Sequence, residues 1–387
     1  MDTGKLFEHF FSLFGNPDDK PRIFFAPGRV NLIGEHTDYN GGYVLPCAIQ
    51  YGTYLLIRPV SAGFVSFAST NFDNPFKIAI KDLSVKVNGA WVNYPLGVID
   101  QFRQMNIEVA GYEMLYSGDI PNGAGLSSSA SIEMVTAFAL KSLLNVSDLS
   151  MLDLVKLSQR AENQFIGVSC GIMDQFAVGM GAKDHALFLN CETLEYETIP
   201  VLLTGYSLII ANTNKARGLS GSKYNERVAE CQQALADLHP LIPASNLGEI
   251  GFMKFFKIQD QIVDERIRRR ARHVVSENQR VLNAVSSLKR GDLGQFGALM
   301  NASHESLRDN YEVTGFELDT LVEEAWKING VTGARMTGAG FGGCTVNLVR
   351  KEAVNGFIEK VGAAYFEKTG IRATFYIAEV SDGVKEI

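Results

Sequence analysis

Residues 122–131 read NGAGLSSSAS, a glycine-rich turn that leads directly into a helix of small residues. Segments of this kind bind anions, because unpaired backbone N–H groups and the positive end of the helix dipole face the ligand. Glycines let phosphate oxygens approach the backbone, and serine hydroxyls add donors or a magnesium ligand. An ordinary helix start with serine caps has a similar composition, so the segment alone predicts either a phosphate site or a structural cap.

The segments on either side of this turn alternate between strand and helix patterns. Segments rich in β-branched and aromatic residues predict strands, and apolar residues at helical spacing predict helices. Helices are expected at residues 1–16, 126–144, 150–165 and 351–368, with further helical patterns from 223 to 329. Strands are expected at residues 22–26, 51–60, 64–67, 76–80, 112–117, 187–189, 196–199, 207–211, 345–349 and 374–380. Ser150 and Asp153 have the spacing of a capping box.

The composition shifts near residue 200, where helical patterns begin to dominate. We therefore predict two domains, 1–200 and 201–387. No Pro/Ser-rich linker separates them, so we expect an extensive shared interface rather than a flexible tether.

The bulk composition is that of a soluble globular protein, with 387 residues of which 46% are hydrophobic. The net charge of −7 argues against nucleic acid and anionic membranes as partners and favours a small molecule. Five dispersed cysteines without CxxC spacing predict reduced thiols in a cytoplasmic protein. The absence of a signal-peptide core or an 18-residue apolar segment leads us to expect a soluble protein that is not exported.

A second polar segment, residues 27–42, reads PGRVNLIGEHTDYNGG and contains one Arg, two carboxylates, one His and two Asn. Carboxylates can accept hydrogen bonds from two neighbouring hydroxyls, so this mixture suits a polyhydroxylated ligand. The glycines permit tight backbone turns. A polar surface turn after a strand is the alternative interpretation of these residues.

Three other patterns predict no site of their own. Residues 338–343, GAGFGG, have GxGxxG spacing but precede a strand, so they indicate a glycine loop rather than a dinucleotide site. The chain has no GxxxxGK[ST] motif, and its six histidines show no zinc spacing. The arginine-rich segment 264–273 lacks interleaved aromatic residues and is expected to be an exposed helix.

Three motifs in order resemble the galactokinase family of GHMP small-molecule kinases. They are GRVNLIGEHTDYN at residues 28–40 (the sugar motif), PNGAGLSSSAS at 121–131 (the phosphate loop) and GARMTGAGFGGC at 333–344 (the glycine motif). The last two are shared across GHMP kinases, whereas the first points to galactose. The resemblance spans nearly the whole chain, with no departure in any of the three.

The resemblance implies a two-domain α+β GHMP kinase fold with the active site between the domains. It implies ATP-dependent, Mg²⁺-assisted phosphorylation of the C1 hydroxyl of α-D-galactose, as in the Leloir pathway, by a cytoplasmic protein expected to be monomeric. Two alternatives stay open at this point. One is a GHMP kinase for another sugar such as N-acetylgalactosamine, and the other is a galactokinase-like sugar sensor without catalysis.

The family's functional residues map onto matching positions of this sequence. The implied sugar-binding residues are Glu35, His36, Thr37, Asp38 and Tyr224. The implied nucleotide-binding residues are Ser69, Gly123, Ala124, Gly125, Leu126, Ser127, Ser128 and Ser129. Ser129 and Glu162 match the magnesium positions, Asp174 the catalytic base and Arg29 the transition-state stabiliser. Taken alone, Glu162 suits a solvated helix face and Asp174 a cap beside a glycine turn.

One physical tension accompanies these roles. If Arg29 lies close to Asp174, it favours the ionised carboxylate and makes it a weaker base. A loose, metaphosphate-like transition state needs little activation of the nucleophile, so Asp174 could chiefly orient the sugar and accept the proton late.

Overall fold

The computed structural model describes residues 2–16, 19–120, 125–215 and 220–387. The strands within these ranges are β1 (Arg22–Asn31), β2 (Tyr43–Val44), β3 (Pro46–Val60), β4 (Phe64–Ser69), β5 (Phe76–Ala79), β6 (Gly111–Gly118), β7 (His185–Asn190), β8 (Tyr196–Pro200), β9 (Tyr206–Asn212), β10 (Val331–Thr337), β11 (Cys344–Arg350), β12 (Thr374–Ala378) and β13 (Lys385–Glu386). The α-helices are α1 (Thr3–Phe14), α2 (Asn93–Gln104), α3 (Ser128–Leu143), α4 (Met151–Arg160), α5 (Met173–Met180), α6 (Ser220–Leu238), α7 (Phe252–Ile258), α8 (Glu265–Lys289), α9 (Leu293–Ser306), α10 (Phe316–Trp326) and α11 (Val354–Thr369). This mixture confirms the predicted α+β class.

The N-terminal half is built on a six-stranded sheet with the order β13-β1-β3-β6-β4-β5. Neighbouring strands of this sheet are antiparallel, except that β4 and β6 are parallel. Successive side chains of a strand point to opposite faces, so Phe24 packs under helices α2 to α5 while its neighbour Ile23 packs against Phe10 of α1. The sheet is therefore covered by helices on both faces.

The C-terminal half has a four-stranded sheet with the order β10-β11-β9-β12. Along β9, Ile209 faces the core that includes α10 and α11, whereas Ile210 faces α8 and α9. A third sheet, β2-β7-β8, completes the strands of the described residues.

The two halves share a buried apolar core. Val30 and Cys47 of the first sheet belong to the same cluster as Ile210 and Val346 of the second. The predicted boundary near residue 200 falls between β8 and β9, but β13 at the end of the chain pairs with β1. The two predicted domains are thus joined by a common core and by a strand pairing, and the boundary itself stays a prediction.

Several local expectations can be compared with the structure. The capping box is present, since Ser150 and Asp153 exchange side-chain-to-backbone hydrogen bonds at the start of α4. The helix then continues as a π-helical turn, Ala161–Ile166, which the sequence pattern did not predict. Helix α2 was also not predicted. The five cysteines are free thiols, as predicted, and no helix in the described ranges is long and apolar enough to cross a membrane.

Candidate active site

The three motifs meet around one cleft with a cavity volume of about 440 Å³. It lies where the N-termini of α3 and α5 approach the sugar motif and the loop that follows β10. Its lining includes Arg29, Glu35, His36, Asp38, Gly125, Ser127, Ser128, Ser129, Glu162, Gly171, Asp174, Tyr224, Gly338 and Ala339. We call this cavity the cleft.

Asp174 and Arg29 form an ion pair at the centre of the cleft. The Arg29 Nε–H donates to Asp174 Oδ1 over 2.8 Å, and Arg29 Nη2 lies 2.7 Å from the same oxygen. The Ser127 hydroxyl donates to Asp174 Oδ2 over 2.5 Å. The Asp174 carboxylate is therefore held at both oxygens, in the contact with Arg29 that the sequence analysis considered.

The positions of Arg29 and Ser127 follow from local structure. Arg29 lies near the end of β1, and its Nη1 donates to the Gly125 carbonyl oxygen over 2.7 Å. Ser127 precedes α3 in a left-handed conformation, φ 61°, which few non-glycine residues adopt. Its side chain thereby reaches Asp174 in the first turn of α5.

The sugar motif contributes three polar side chains to one end of the cleft. Glu35 is nearly fully buried, and its Oε1 accepts a hydrogen bond from the Gly338 N–H over 2.8 Å. Burial, the main cause, lowers the pKa of His36 to about 3, so its ring is neutral. Burial and then the nearby charge of Asp174 raise the pKa of Asp38 to about 7. Tyr224 of α6 lies against His36, with ring centroids 5.8 Å apart.

The resemblance assigns magnesium to two oxygen-bearing side chains, Glu162 and Ser129, and both line the cleft. Glu162 projects from the π-helical turn and lines the cleft together with Ser129 at the start of α3. Burial, followed by the charge of Asp174, raises the pKa of Glu162. A carboxylate and a hydroxyl fit Mg²⁺, which commonly takes one or two protein ligands and completes its octahedron with phosphate and water. Within the described ranges no cluster of three or more His, Cys, Asp or Glu residues could hold a metal ion alone.

A buried amide fixes the orientation of Glu162. The Gln175 side-chain amide donates to Glu162 Oε2 over 2.6 Å and to Glu133 Oε2 over 3.1 Å. Glu133 is fully buried, and its burial raises its pKa well above the usual value. Sequence reasoning missed both residues. The one available signal for Gln175 was its position directly after Asp174, and nothing in the sequence marked Glu133 on α3.

The predicted nucleotide-binding residues occupy different places. Gly125, Ser127, Ser128 and Ser129 line the cleft, and Gly123 and Ala124 lie outside the described residues. Ser69 instead lines a smaller neighbouring pocket of about 130 Å³, shared with the rings of Phe72, Trp91, Tyr94 and Tyr116 and bordered by Ser128 and Ser129. Leu126 is 1% exposed and packs in the core that joins the two halves.

Thr37 is set apart from the other predicted sugar-binding residues. Its side chain is fully buried and does not line the cleft. The hydroxyl lies 2.9 Å from the carbonyl oxygen of Gly34 and 2.7 Å from that of Tyr43. The physical role visible for Thr37 is to hold the turn that presents Glu35, His36 and Asp38.

The glycine motif connects the other two motifs. Gly338 has φ 86°, and a Cβ there would contact the Gly125 carbonyl of the phosphate loop at 2.9 Å. Glycine is therefore required by both the conformation and the close approach. With its N–H bonded to Glu35, this one residue fixes the spacing between the sugar motif and the phosphate loop.

Comparison with known proteins agrees with this arrangement. The model of the galactokinase galactose-binding signature matches residues 8–59, and the models of the GHMP kinase N-terminal and C-terminal domains match residues 93–182 and 284–368. A galactokinase of Fusobacterium nucleatum is 50% identical over 386 residues, which cover 99% of each chain. A galactokinase of Clostridium acetobutylicum is 53% identical, with 94% of each chain covered. The chain belongs to the galactokinase family.

Solved structures show the same relationship. The crystal structure of Lactococcus lactis galactokinase complexed with galactose is 45% identical and matches with a TM-score of 0.97 over 100% of both chains. The mevalonate kinase of Methanococcus jannaschii is 21% identical, with a TM-score of 0.68 over 95% of this chain and 100% of its own, and shares the fold. The chain therefore has the complete galactokinase fold, and the predicted GHMP kinase architecture is confirmed.

Proposed function

We propose that this chain transfers the γ-phosphoryl group of ATP to the C1 hydroxyl of α-D-galactose. The observation that carries the proposal is the Asp174 carboxylate, fixed by Arg29 and Ser127 in the same cleft as the sugar motif. Curated relatives of about the same length are galactokinases, and the related Lactococcus lactis structure contains galactose. These findings support galactose as the sugar rather than another GHMP kinase substrate.

The sugar would lie at the end of the cleft formed by Glu35, His36, Asp38 and Tyr224. Glu35 and Asp38 provide acceptors for sugar hydroxyls, and Tyr224 provides a hydroxyl and a ring face. Gly171 also borders this end and is so close to Asp38 that a Cβ would overlap the carboxylate. This end of the cleft is suited to a compact polyhydroxylated ligand.

The nucleotide would extend from the cleft into the smaller pocket. Phe72 and Trp91 lie nearly parallel there, at an interplanar angle of 11° and a centroid distance of 6.0 Å, and offer ring faces to a purine. Ser128 and Ser129 border both cavities, so a base in the small pocket would place its phosphates at the N-terminus of α3. Ser69 would contact the nucleotide from β4.

The chemistry then depends on position and charge. Asp174 orients the C1 hydroxyl and accepts its proton late, as the bond from C1 oxygen to phosphorus forms and the bond to ADP breaks. Each terminal nitrogen of Arg29 carries two hydrogens, one of which points to Asp174 or Gly125. The other hydrogen can face the charge of the transferred phosphoryl group. Mg²⁺, held by Ser129 and Glu162, would neutralise phosphate charge when bound. Because the side chains that line the cleft belong to a single chain, we propose a functional monomer.

An ATP-consumption assay over a panel of free sugars tests the proposal. Galactose, glucose and N-acetylgalactosamine are compared with and without Mg²⁺, and the product is examined by ³¹P NMR for coupling to the anomeric proton. We expect consumption with galactose and Mg²⁺ and a phosphate on C1. Faster turnover of N-acetylgalactosamine would reassign the substrate, and galactose binding without ATP consumption would indicate a sensor.

A further inference from the structure

Glu35 is a cleft residue whose position is set from the C-terminal half of the chain. Its backbone N–H donates to Glu277 Oε1 of α8 over 3.4 Å, and its carbonyl oxygen lies 3.1 Å from His273 Nε2 of the same helix. The side chain of Glu35 is only 2% exposed, although the residue lines the cleft. The carboxylate therefore cannot turn freely, and its surroundings decide which of its oxygens a ligand can reach.

One carboxylate oxygen of Glu35 is occupied by the glycine motif. Oε1 accepts hydrogen bonds from the Gly338 N–H over 2.8 Å and from Arg335 Nη1 over 3.4 Å. Arg335 Nη2 also lies 3.4 Å from this oxygen. The other oxygen, Oε2, accepts no hydrogen bond from the described residues, and it is not one of the polar atoms that the core encloses without a partner. Oε2 is therefore the oxygen left for a ligand in the cleft.

Arg335 reaches Glu35 because of its place on β10. The side chain is fully buried, and Nη1 also donates to the Asn31 carbonyl oxygen over 2.9 Å. The Thr337 hydroxyl, two residues further along and on the same face of the strand, donates to that carbonyl oxygen over 3.1 Å. These contacts join β10 to the end of β1, four residues before Glu35. Among the described residues, Glu35 is the only acidic side chain at ion-pair distance from Arg335.

This ion pair is a poor device for stability. Arg335 Nε and Nη2 are enclosed and have no hydrogen-bond partner among the described residues. A buried charge in this state costs folding free energy, and the attraction within a buried ion pair often fails to offset the lost hydration. What the pair does provide is a carboxylate with a compensated charge and a fixed direction at the wall of the cleft.

We propose that Arg335 is a positioning residue for sugar recognition. Together with the Gly338 N–H it holds Glu35 by Oε1, and so leaves Oε2 as the acceptor for a sugar hydroxyl. Arg335 is not among the residues that line the cleft, so it acts through Glu35. The sugar rests on the proposed function, whereas the hold on Glu35 does not.

Galactose calorimetry without ATP tests the effect on recognition. Arg335→Met should raise the galactose Kd at least about tenfold, because Glu35 loses a charged donor and its fixed direction. Arg335→Lys keeps the charge but not the planar fork, and should raise the Kd about 3- to 10-fold. The ATP KM should stay near that of the unmodified protein in both variants. An unchanged galactose Kd in either folded variant would overturn the inference.

The matched control is Arg58→Met. Arg58 is also a buried arginine, and its Nε donates to Glu113 Oε2 over 3.1 Å, but both residues lie outside the cleft lining. This variant should lose stability and keep the galactose Kd. A similar rise in Kd for Arg58→Met would show that loss of any buried arginine weakens binding, which would also overturn the inference.

Glu35→Gln separates positioning from packing. If Arg335 acts through the Glu35 carboxylate, Arg335→Met should raise the galactose Kd less than about threefold in the Glu35→Gln background, against at least about tenfold in the unmodified protein. Equal rises in the two backgrounds would show that Arg335 acts by another route.

Urea unfolding of the ligand-free protein tests the hold on Glu35 without any substrate. Arg335→Met leaves the buried Glu35 charge without its partner, so this variant should unfold at a lower urea concentration than the unmodified protein. Adding Glu35→Gln should restore part of that loss. Arg335→Lys takes the place of Arg335→Met in each comparison if the methionine variant does not fold. No restoration by Glu35→Gln would contradict the pairing. Absence of galactose binding by the unmodified protein would overturn the proposed function and leave this unfolding result unaffected.

Discussion

Asp174 is held from two sides, and this explains how a carboxylate beside a guanidinium can serve phosphoryl transfer. Arg29 fixes Oδ1 and Ser127 fixes Oδ2, so the direction of the remaining lone pairs is defined before the sugar arrives. Preorganised geometry of this kind contributes more to a loose transition state than a strong base does.

Asp174→Asn should therefore lose most turnover while it retains sugar binding. The side chain is nearly isosteric, but the amide neither pairs with Arg29 nor accepts the C1 proton, and the loss in kcat should be about 10²- to 10⁴-fold. Steady-state kinetics and galactose calorimetry measure the two quantities. A kcat near that of the unmodified protein would remove Asp174 from the chemistry, and joint loss of binding and thermal stability would make it structural.

The pKa of Asp38, raised to about 7, predicts a pH dependence of sugar capture. The carboxyl is charged above this pKa and protonated below it, so its capacity to accept hydrogen bonds from sugar hydroxyls falls as the pH falls through about 7. Below about pH 7, the kcat/KM for galactose should decrease by up to about tenfold for each unit of pH. Asp38→Asn should lack this limb, and an unchanged profile in that variant would assign the pH dependence to another group.

At the scale of elements, the site depends on what helices present at their ends. Helices α3 and α5 direct their N-termini at the cleft, and the π-helical turn after α4 carries Glu162. Such single-turn insertions are common at functional sites because they reorient side chains beyond the insertion. The turn before α5 brings Gly171 against Asp38.

Gly171→Ala tests this packing between elements. Gly171 is not in the left-handed region, so the effect should come from the added methyl group, which would overlap the Asp38 carboxylate. We expect a galactose KM at least about tenfold higher, comparable to loss of a charged hydrogen bond, with the ATP KM little changed. Gly356→Ala, in α11 with open space around it, is the control. Equal galactose KM values for Gly171→Ala and the control would contradict the assigned position of Asp38.

The elements also show what a sequence can reveal. Strand and helix patterns and the capping box were predictable because they depend on local periodicity and caps. The π-helical turn was not, because one inserted residue does not interrupt the apolar pattern. The roles of Gln175 and Glu133 become visible only when α5 and α3 are packed against the π-helical turn.

At the scale of the whole molecule, a buried carboxylate joins the sugar motif to the C-terminal helices. Glu277 of α8 is fully buried and accepts hydrogen bonds from the Gly34 N–H over 2.9 Å and from the Ser303 hydroxyl over 2.6 Å. Its other oxygen accepts from Arg280 over 2.6 Å. Burial is the largest single influence and raises its pKa, but Arg280 and the other partners outweigh it and lower the pKa to about 2.

This lowered pKa predicts a stability loss in acid. A carboxyl group whose pKa is lowered by folding stabilises the folded state. This stabilisation is complete above the unfolded-state pKa, near 4.5, and is lost as the pH falls through about 2. The contribution is on the order of 3 kcal/mol in the unfolding free energy. Glu277→Gln should thus have a lower free energy of unfolding than the unmodified protein at pH 7, and this difference in unfolding free energy should become smaller towards pH 3. Glu8→Gln, exposed on α1, is the control, and a gap independent of pH would contradict the prediction.

The three motifs and the α+β class followed from the sequence and its resemblance, whereas the contact of Arg29 with Asp174 was considered there only as a condition. The separate position of Thr37, the neighbouring pocket around Ser69 and the strand pairing of β13 with β1 did not follow from the sequence. The pairing of β13 with β1 joins Phe24 to Glu386, and the pocket around Ser69 collects residues from Thr53 to Ile132, so no local pattern records these partners. The position of Thr37 depends on how its own turn folds, which brings the hydroxyl to the Gly34 and Tyr43 carbonyls.

The measurement that tests the account most directly is the ratio of kcat/KM for galactose to that for its C4 epimer glucose, in the unmodified protein and in Asp38→Ala. Carboxylates placed in the cleft to accept hydrogen bonds from sugar hydroxyls penalise an epimer that leaves one of them unpaired by about 1–3 kcal/mol, so the unmodified protein should favour galactose at least tenfold. Asp38→Ala should lose galactose activity and narrow the ratio. Equal values for the two sugars in the unmodified protein would contradict a galactose-specific kinase, and an unchanged ratio in Asp38→Ala would place the discrimination elsewhere.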